Sequence, residues 1–398
     1  MRKDFLYEQY EPLHGALVQL NKYIYDNPEL GNEEFKAVAA HKALLTEHGF
    51  TFTEGYLGIP TAFRADYDSG KPGPAIGFLA EYDALPGMGH GCGHNMVGTT
   101  ATGAGILLSK VIDDIGGRVI VYGTPAEETV GGKVLMTELG AFDDCDITLS
   151  SHPYDDDVES GSSLAEEDLQ FVFLGKPSHA AAAPEQGINA LDACLATFHN
   201  INALREHVPD TVRMHGIITE GGLAANIVPE RAVAQFSLRA KTLSYMTELA
   251  EKVKNCARAG ALATGAKLEI SNYEPSYFDM VTNKKLQAQL NKNLHVLGIT
   301  EIKPGIEGPY STDVGNVSHA CPSIHNDFNI YAPGEERFPT HTPEFREATI
   351  RPFALEAMKT NILGLVLTAC DIIEDPQLLA EINEEFKTGA VAQLTEKC

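Results

Sequence analysis

Three short apolar segments of this chain are each followed by polar side chains that can bind a metal ion. The segments have the length and composition of buried strands and cover residues 75–80, 118–123 and 146–150. The polar side chains that follow them are those of Cys92 and His94, then Glu127 and Glu128, then His152. Because helical patterns separate the strands, the sequence predicts an α/β domain with a mostly parallel central sheet flanked by helices. The carboxyl ends of such strands share one edge, so we expect these side chains to meet in one crevice.

The first group lies in the loop His-Gly-Cys-Gly-His-Asn, residues 90–95. Cys92 and His94 are two residues apart, a spacing that would separate them around a helix but lets both reach one ion from an irregular loop. A helix predicted to begin at Met96 would lower the pKa of the Cys92 thiol and favour the thiolate that a metal requires. A Cys-Gly-His segment also occurs in plain turns. The metal site is therefore predicted from this loop together with the other strand ends, since zinc sites use three or four ligands.

The adjacent residues Glu127 and Glu128 suit two different roles. Neighbouring residues of an extended segment point to opposite sides, so one can bind metal while the other acts as general base. Paired glutamates are otherwise ordinary surface residues, but these follow a buried strand and Thr-Pro-Ala. His341, in a polar loop of a later segment, is a further candidate ligand. The pattern predicts a hydrolytic metal site that activates water.

Asp83 lies between the first strand and Cys92 and has two candidate roles. Its carboxylate could accept the ring N–H of His94 and fix the tautomer of that imidazole. It could equally accept backbone N–H groups in a turn. The sequence alone leaves both roles open.

Residues 167–274 differ in pattern from the rest of the chain. Their predicted order is strand, helix, strand, strand, helix, strand, which is the order of a ferredoxin-like α+β unit. We interpret this range as an inserted second domain, and residues 1–166 and 275–398 as a metal-dependent catalytic domain, in keeping with a length of 398 residues. The pattern further predicts one long helix over 344–374 and a final helix over 376–398.

The formal charge of −25 argues against partners that are themselves strongly negative, such as nucleic acid or an anionic membrane surface. No apolar run approaches the roughly 20 residues that a membrane span needs, and the first residues lack the apolar core of a signal peptide. The seven cysteines are scattered and form no Cys-x-x-Cys pair, which fits a reducing compartment rather than a disulfide framework. We therefore expect a cytoplasmic protein.

Several short motifs occur in an order that resembles the amidohydrolase branch of the aminoacylase and carboxypeptidase metallopeptidases. They are Asn-Pro-Glu-Leu-Gly at 27–31 with Glu34, Asp-Ala-Leu-Pro-Gly at 83–87, Gly-Cys-Gly-His-Asn at 91–95, Pro-Ala-Glu-Glu at 125–128, Ser-His-Ala at 178–180, Asn-Ile-Val-Pro at 226–229, Ser-Thr-Asp at 311–313 and His-Thr-Pro at 341–343. The resemblance extends over nearly the whole chain, and so many ordered motifs are not expected by chance.

This resemblance implies a role for each candidate residue. The metal ligands would be Cys92, His94, Glu128, His152 and His341, and the catalytic carboxylate would be Glu127. His179 would stabilise the oxyanion of the tetrahedral intermediate, and Asn226 and Arg239 would contact substrate from the inserted domain. One or two divalent ions per subunit are implied. The thiolate ligand favours zinc, and manganese and cobalt are the alternatives.

The resemblance also implies that the inserted domain is a lid that dimerises, so the protein would be a homodimer or a larger homo-oligomer. The implied function is that of a metal-dependent amidohydrolase or peptidase acting on a small amide: an N-acyl amino acid, an aminobenzoyl-glutamate-like conjugate or a dipeptide. Glu127 would act as general base on metal-activated water. The alternative is a catalytically silent relative that binds a small ligand or senses redox state through Cys92. A nucleophilic hydrolase using Cys92 with His94 is disfavoured, because two residues of one tight loop seldom place nucleophile and base in line.

Overall fold

The computed structural model describes residues 2–308 and 310–391 of the chain. Its strands are β1 Thr51–Glu54, β2 Phe63–Asp68, β3 Ala75–Ala80, β4 Arg118–Gly123, β5 Ile147–Tyr154, β6 Ala165–Leu174, β7 Arg213–Glu220, β8 Arg231–Ala240, β9 Lys267–Asn272 and β10 Ser323–Asn329. Its helices are α1 Arg2–Asp26, α2 Phe35–Glu47, α3 His94–Ile115, α4 Gly132–Glu138, α5 Ala190–Leu204, α6 Leu243–Thr264, α7 Lys284–Leu297, α8 Val314–Ala320, α9 Pro343–Ala348, α10 Pro352–Glu374 and α11 Pro376–Phe386. These elements divide into two compact units, each with its own core.

The first unit contains a six-stranded sheet and is formed by residues 2–162, 280–308 and 312–391. The strand order is β1-β2-β4-β3-β5-β10. Strands β4, β3, β5 and β10 run parallel to their neighbours within this group, whereas β1 and β2 form an antiparallel edge. The predicted α/β class with a mostly parallel sheet is confirmed.

The central strand β3 is buried along its whole length, which explains its unbroken apolar sequence. In a parallel sheet that is covered by helices on both faces, the side chains of a central strand are buried on both sides. Apolar and polar residues therefore do not alternate along such a strand. Helix α3 packs closely against this sheet, because Gly105 leaves no side chain between the helix and Val121: a Cβ at Gly105 would lie 2.4 Å from Cγ2 of Val121. The small residues of α3 thus fix the position of the loop that precedes it.

The carboxyl-terminal helices differ from the prediction. The single helix expected over 344–374 is wrong, because the structure has α9 and α10 with a break at Arg351. Arg351 has φ −74° and ψ 153°, the extended conformation that a residue before proline prefers, and Pro352 begins the next helix. The helix expected over 376–398 is described as α11 followed by a π-helical turn at Lys387–Val391, and residues 392–398 lie outside the described residues.

Helix α10 is the one described helix whose length and hydropathy would suit a membrane span, but 67% of the relevant window is buried inside the protein. Its buried side chains belong to the core of the first unit. The apolar character of α10 therefore agrees with a core helix.

The second unit has the predicted ferredoxin-like connectivity. Its elements follow the order β6-α5-β7-β8-α6-β9, and its four strands form an antiparallel sheet in the order β7-β8-β6-β9. The predicted range 167–274 falls inside this unit, which covers 163–279 together with 310–311. The unit extends beyond the predicted range because β6 begins at Ala165 and the backbone of Glu166 pairs with Tyr277.

Candidate metal centre

Three overlapping groups of side chains in the first unit could each hold a metal ion. The groups are Cys92, His94 and His152; Cys92, Glu128 and His341; and His94, Glu127 and Glu128. Within each group the ligand atoms all lie within 4.8 Å of one another. The structure thus brings together all five residues predicted as ligands and the predicted catalytic carboxylate. They meet at the carboxyl-terminal edge of β3, β4 and β5, although His152 lies within β5 rather than after it.

His94 is the first residue of α3, and its imidazole is oriented by Asp83. Nδ1 of His94 lies 2.8 Å from Oδ1 of Asp83, so Nδ1 carries the proton and Nε2 is left to bind an ion. The other carboxylate oxygen of Asp83 accepts the backbone N–H of Glu128 at 2.9 Å. Burial opposes the ionisation of Asp83, but the contact with His94 outweighs it and lowers the pKa of Asp83. Asp83 therefore makes the contact with His94 that the first role requires, and the backbone N–H that it accepts belongs to a residue 45 positions away rather than to its own turn.

His152 also presents its Nε2 atom to the cluster. Its Nδ1 donates a hydrogen bond of 2.8 Å to the carbonyl oxygen of Pro153, and its Nε2 lies 3.5 Å from Sγ of Cys92. Burial lowers the pKa of His152 to about 3, so the ring is neutral near pH 7. A neutral imidazole with one free nitrogen is the form that binds a metal ion.

Cys92 corrects one expectation from the sequence. Burial raises the pKa of the Cys92 thiol, with His94 opposing the rise, whereas the helix that follows was predicted to lower this pKa. Desolvation of a thiolate outweighs the effect of a nearby helix terminus when the sulfur is withdrawn from water. A buried thiol of this kind loses its proton when a cation coordinates the sulfur, which fits a metal ligand better than a free nucleophile.

His341 is the most exposed side chain of the cluster and lies beside Glu128. Nε2 of His341 lies 3.2 Å from Oε1 of Glu128, and the His341 side chain is 52% exposed. The backbone of His341 has φ 65°, in the left-handed region, and its N–H donates to the carbonyl of Gly91 at 2.8 Å. Oε1 of Glu128 is buried, and its contact with Nε2 of His341 lacks the geometry of a hydrogen bond. A cation is the partner that such a buried oxygen lacks, so this donor set fits a divalent metal.

Glu127 lies beside the ligands with one oxygen turned toward them. Its Oε2 lies 3.9 Å from Nε2 of His94, and its Oε1 accepts a hydrogen bond of 3.4 Å from the hydroxyl of Thr312. Burial raises the pKa of Glu127 well above its ordinary value, and the nearby carboxylates of Asp313 and Glu81 raise it further. A carboxylate with an increased affinity for protons suits a general base.

A buried ionic network beneath the cluster was missed by sequence reasoning. Nζ of Lys133 lies 2.7 Å from Oε1 of Glu81 and 2.7 Å from Oδ1 of Asp313, and all three side chains are buried. The backbone N–H of Lys133 donates to the second oxygen of Asp313 at 3.0 Å. Oε2 of Glu81 lies 3.5 Å from Nε2 of His94, so the network touches a ligand. Glu81 could have been suspected because it follows β3 directly, but no signal distinguished the lysine at the start of α4.

The three residues predicted to contact substrate all lie in the second unit. Nδ1 of His179 accepts backbone N–H groups from residues 181 and 182 at 3.3 and 3.2 Å. Asn226 is exposed, and its carbonyl accepts the N–H of residue 180 at 3.0 Å. Arg239 forms an ion pair of 2.7 Å with Glu166. The described metal-binding groups contain none of these three, and their catalytic roles stay predictions.

Comparisons with known proteins agree with this architecture. A family model for the peptidase dimerisation domain matches residues 167–264. The Xaa-Arg dipeptidase of Mus musculus is 36% identical over 395 residues, which cover 96% of this chain and 91% of the mouse protein. One component of the p-aminobenzoyl-glutamate hydrolase of Escherichia coli (strain K12) is 33% identical over 302 residues, 70% of this chain and 62% of the relative.

A solved structure shows the same fold. It is a dinuclear metal-binding peptidase of the M20 family from Bacillus subtilis, with a TM-score of 0.68 and 19% sequence identity. The match covers 91% of this chain and 99% of that protein. The likeness therefore extends over both units of the chain.

Proposed function

Because this chain belongs to the M20 peptidase family and is a metal-binding hydrolase of amide bonds, we propose that it is a dipeptidase for small peptides with a basic carboxyl-terminal residue. The hydrolytic part of the proposal rests on the five ligand side chains, which form three overlapping groups, one of which includes Glu127. The similarity to an Xaa-Arg dipeptidase over 91% of its length supports the choice of substrate. The formal charge of −25 supports it further, since a strongly negative protein attracts cationic substrates more than the dianionic aminobenzoyl-glutamate.

We further propose that one or two divalent ions are bound by Cys92, His94, Glu128, His152 and His341. Zinc is favoured by the thiolate and imidazole ligands, with manganese and cobalt as alternatives. When bound, a divalent ion supplies Lewis-acid polarisation of the scissile carbonyl and lowers the pKa of water.

The chain's own groups perform the proton transfers. In this proposal Glu127 accepts a proton from the attacking water through Oε2, the oxygen that faces His94, while the hydroxyl of Thr312 holds Oε1. Glu127 then delivers that proton to the leaving amine, so that one carboxylate acts first as base and then as acid. His179 would stabilise the oxyanion, and Asn226 and Arg239 would contact the substrate.

The matched peptidase dimerisation domain supports a homodimer formed through the second unit. The six cysteines that the structure describes are free thiols, which supports a cytoplasmic location. A catalytically silent, ligand-binding role is not proposed, because the ligand groups and Glu127 are all present.

The proposal is tested with purified protein, a panel of amides and the Glu127→Gln variant. Wild type should hydrolyse Xaa-Arg and Xaa-Lys dipeptides faster than aminobenzoyl-glutamate or N-acetyl amino acids, and a chelator should abolish the activity until metal is restored. Glu127→Gln should bind metal normally and lose about 10²–10⁴-fold in kcat, the usual contribution of a general base.

Two results would contradict the proposal. Full activity of Glu127→Gln would remove the assigned base. A metal-loaded wild type that hydrolyses no member of the panel would instead favour the ligand-binding alternative. Glu33→Gln, a change at an exposed glutamate, serves as the matched control and should leave kcat unchanged.

A further inference from the structure

The backbone immediately before the two glutamates adopts a conformation that most residues avoid. Ala126 has φ 60°, in the left-handed region, and its side chain is fully buried. For a residue other than glycine this conformation costs roughly 1–2 kcal/mol and persists only where the surrounding structure enforces it. The carbonyl of Ala126 accepts the N–H of Gly131 at 2.9 Å, so Glu127 and Glu128 are the first two residues of the turn that this hydrogen bond closes. The direction of Glu127 thus depends on what holds Ala126, whereas the N–H of Glu128 is held separately by Asp83.

Glu34 holds Ala126 from a segment 92 positions earlier in the chain. Its Oε1 accepts the backbone N–H of Ala126 at 2.8 Å, and its side chain is fully buried. Gly31 brings the same segment against the turn, since a Cβ there would lie 2.9 Å from Cα of Ala126 and 2.3 Å from the hydroxyl of Thr129. The turn that begins at Ala126 therefore packs against the segment 31–34.

Glu34 does not cap helix α2, although its position predicts that it would; Glu29 does so instead. Glu34 precedes α2 at the N-cap position, where an acidic side chain usually accepts N–H groups of the first turn, yet it makes no such hydrogen bond. The carboxylate of Glu29 accepts the N–H groups of Lys36 and Ala37 instead, at 2.8 and 3.1 Å. Helix capping therefore does not explain why the Glu34 carboxylate is buried.

We propose that Glu34 is a positioning residue for the reaction: its hydrogen bond to Ala126 fixes the turn that aims Glu127, without contact with substrate. The inference rests on the proposed role of Glu127. A small misplacement of a catalytic group is enough to reduce turnover strongly, while substrate binding and metal binding are left largely intact.

Two neutral variants of similar size isolate the hydrogen bond. Glu34→Gln keeps an oxygen that can accept from Ala126, whereas Glu34→Met fills the same space without an acceptor. We expect Glu34→Met to lose about 10–100-fold in kcat with KM and metal content nearly unchanged, and Glu34→Gln to stay within about threefold of wild type. Glu29→Ala is the matched control: removal of the α2 cap should lower thermal stability but not kcat.

Hydrogen exchange supplies a readout that does not depend on the reaction. The amides of residues 124–129 should exchange faster in Glu34→Met than in Glu34→Gln, with the remainder of the first unit unchanged. The inference would be overturned if the two variants exchanged these amides equally fast. It would also be overturned if both variants, folded and loaded with metal, had the same kcat. If wild type hydrolyses no dipeptide, the proposed function fails by itself, and the exchange comparison still decides whether Glu34 holds the turn.

Discussion

The two sides of the metal cluster are built differently. On the inner side, His94 is 1% exposed and contacts the carboxylates of Asp83 and Glu81. On the outer side, His341 is 52% exposed, and its backbone is held in a left-handed conformation by a hydrogen bond to Gly91. The inner ligand is thus oriented by charged side chains, and the outer ligand mainly by its backbone.

This difference predicts that substitutions on the two sides affect protein stability and metal binding differently. A buried charge whose partner is removed is left without water or a counter-charge, so the folded state is strongly destabilised. An exposed ligand can be solvated when its partner is lost. Variants on the inner side should therefore affect both folding and metal affinity, whereas variants on the outer side should affect metal affinity alone.

The largest effect is expected from the buried lysine of the inner side. Lys133→Met would leave the carboxylates of Glu81 and Asp313 buried without a cation and should lower the free energy of unfolding by about 3–5 kcal/mol. Urea unfolding of metal-free protein measures the change. Lys22→Met, at an exposed lysine paired with Asp26, is the control and should stay within about 0.5 kcal/mol. Equal stability of the two variants would show that the inner side is not specially dependent on its counter-charge.

A smaller effect is expected when each of the two histidines is replaced by alanine. His94→Ala removes the ring donor to buried Asp83 and should lower the unfolding free energy of metal-free protein by about 1–3 kcal/mol. His341→Ala should change it by no more than about 0.5 kcal/mol. Both variants should bind less metal than wild type. If both were equally destabilised, the contrast between the inner and outer sides would be wrong.

The smallest effect is a pH dependence from Glu34, a buried carboxylate that interacts electrostatically with Asp83 of the inner side. Burial raises the pKa of Glu34 to about 7 from its ordinary value of 4.5, so the folded state favours the protonated form. The stability contributed by that form is complete below the unfolded pKa and is lost as the pH rises through about 7.

Replacement of Glu34 by Gln should therefore remove part of the pH dependence of wild type. Between about pH 6 and pH 8, metal-free wild type should lose about 1 kcal/mol of unfolding free energy relative to Glu34→Gln. Denaturation curves at the two pH values measure the difference. Glu29→Gln retains Glu34 and should follow wild type. A wild type that gains stability relative to Glu34→Gln over this range would contradict the assigned direction.

Local patterns in the sequence were sufficient to predict the fold class and the residues that converge. Apolar runs such as β3, the helix-strand alternation and the ferredoxin-like order of the second unit depend on periodicity and chain order, both of which are visible without a structure. Cys92, His94 and the pair of glutamates were recognised because metal-binding side chains followed buried strands, and parallel strands end at one edge of a sheet. The choice of Glu128 as the ligand of that pair came from the resemblance to a known family.

Contacts between distant segments were decided only by the tertiary structure. The ionic network of Lys133 joins residues as much as 180 positions apart, and the hydrogen bond from Ala126 to Glu34 spans 92. The same holds for the raised pKa of Cys92, where burial by the whole fold outweighs the helix that follows it. Desolvation and long-range pairing depend on which residues are neighbours in space. A pattern along the sequence does not contain that information.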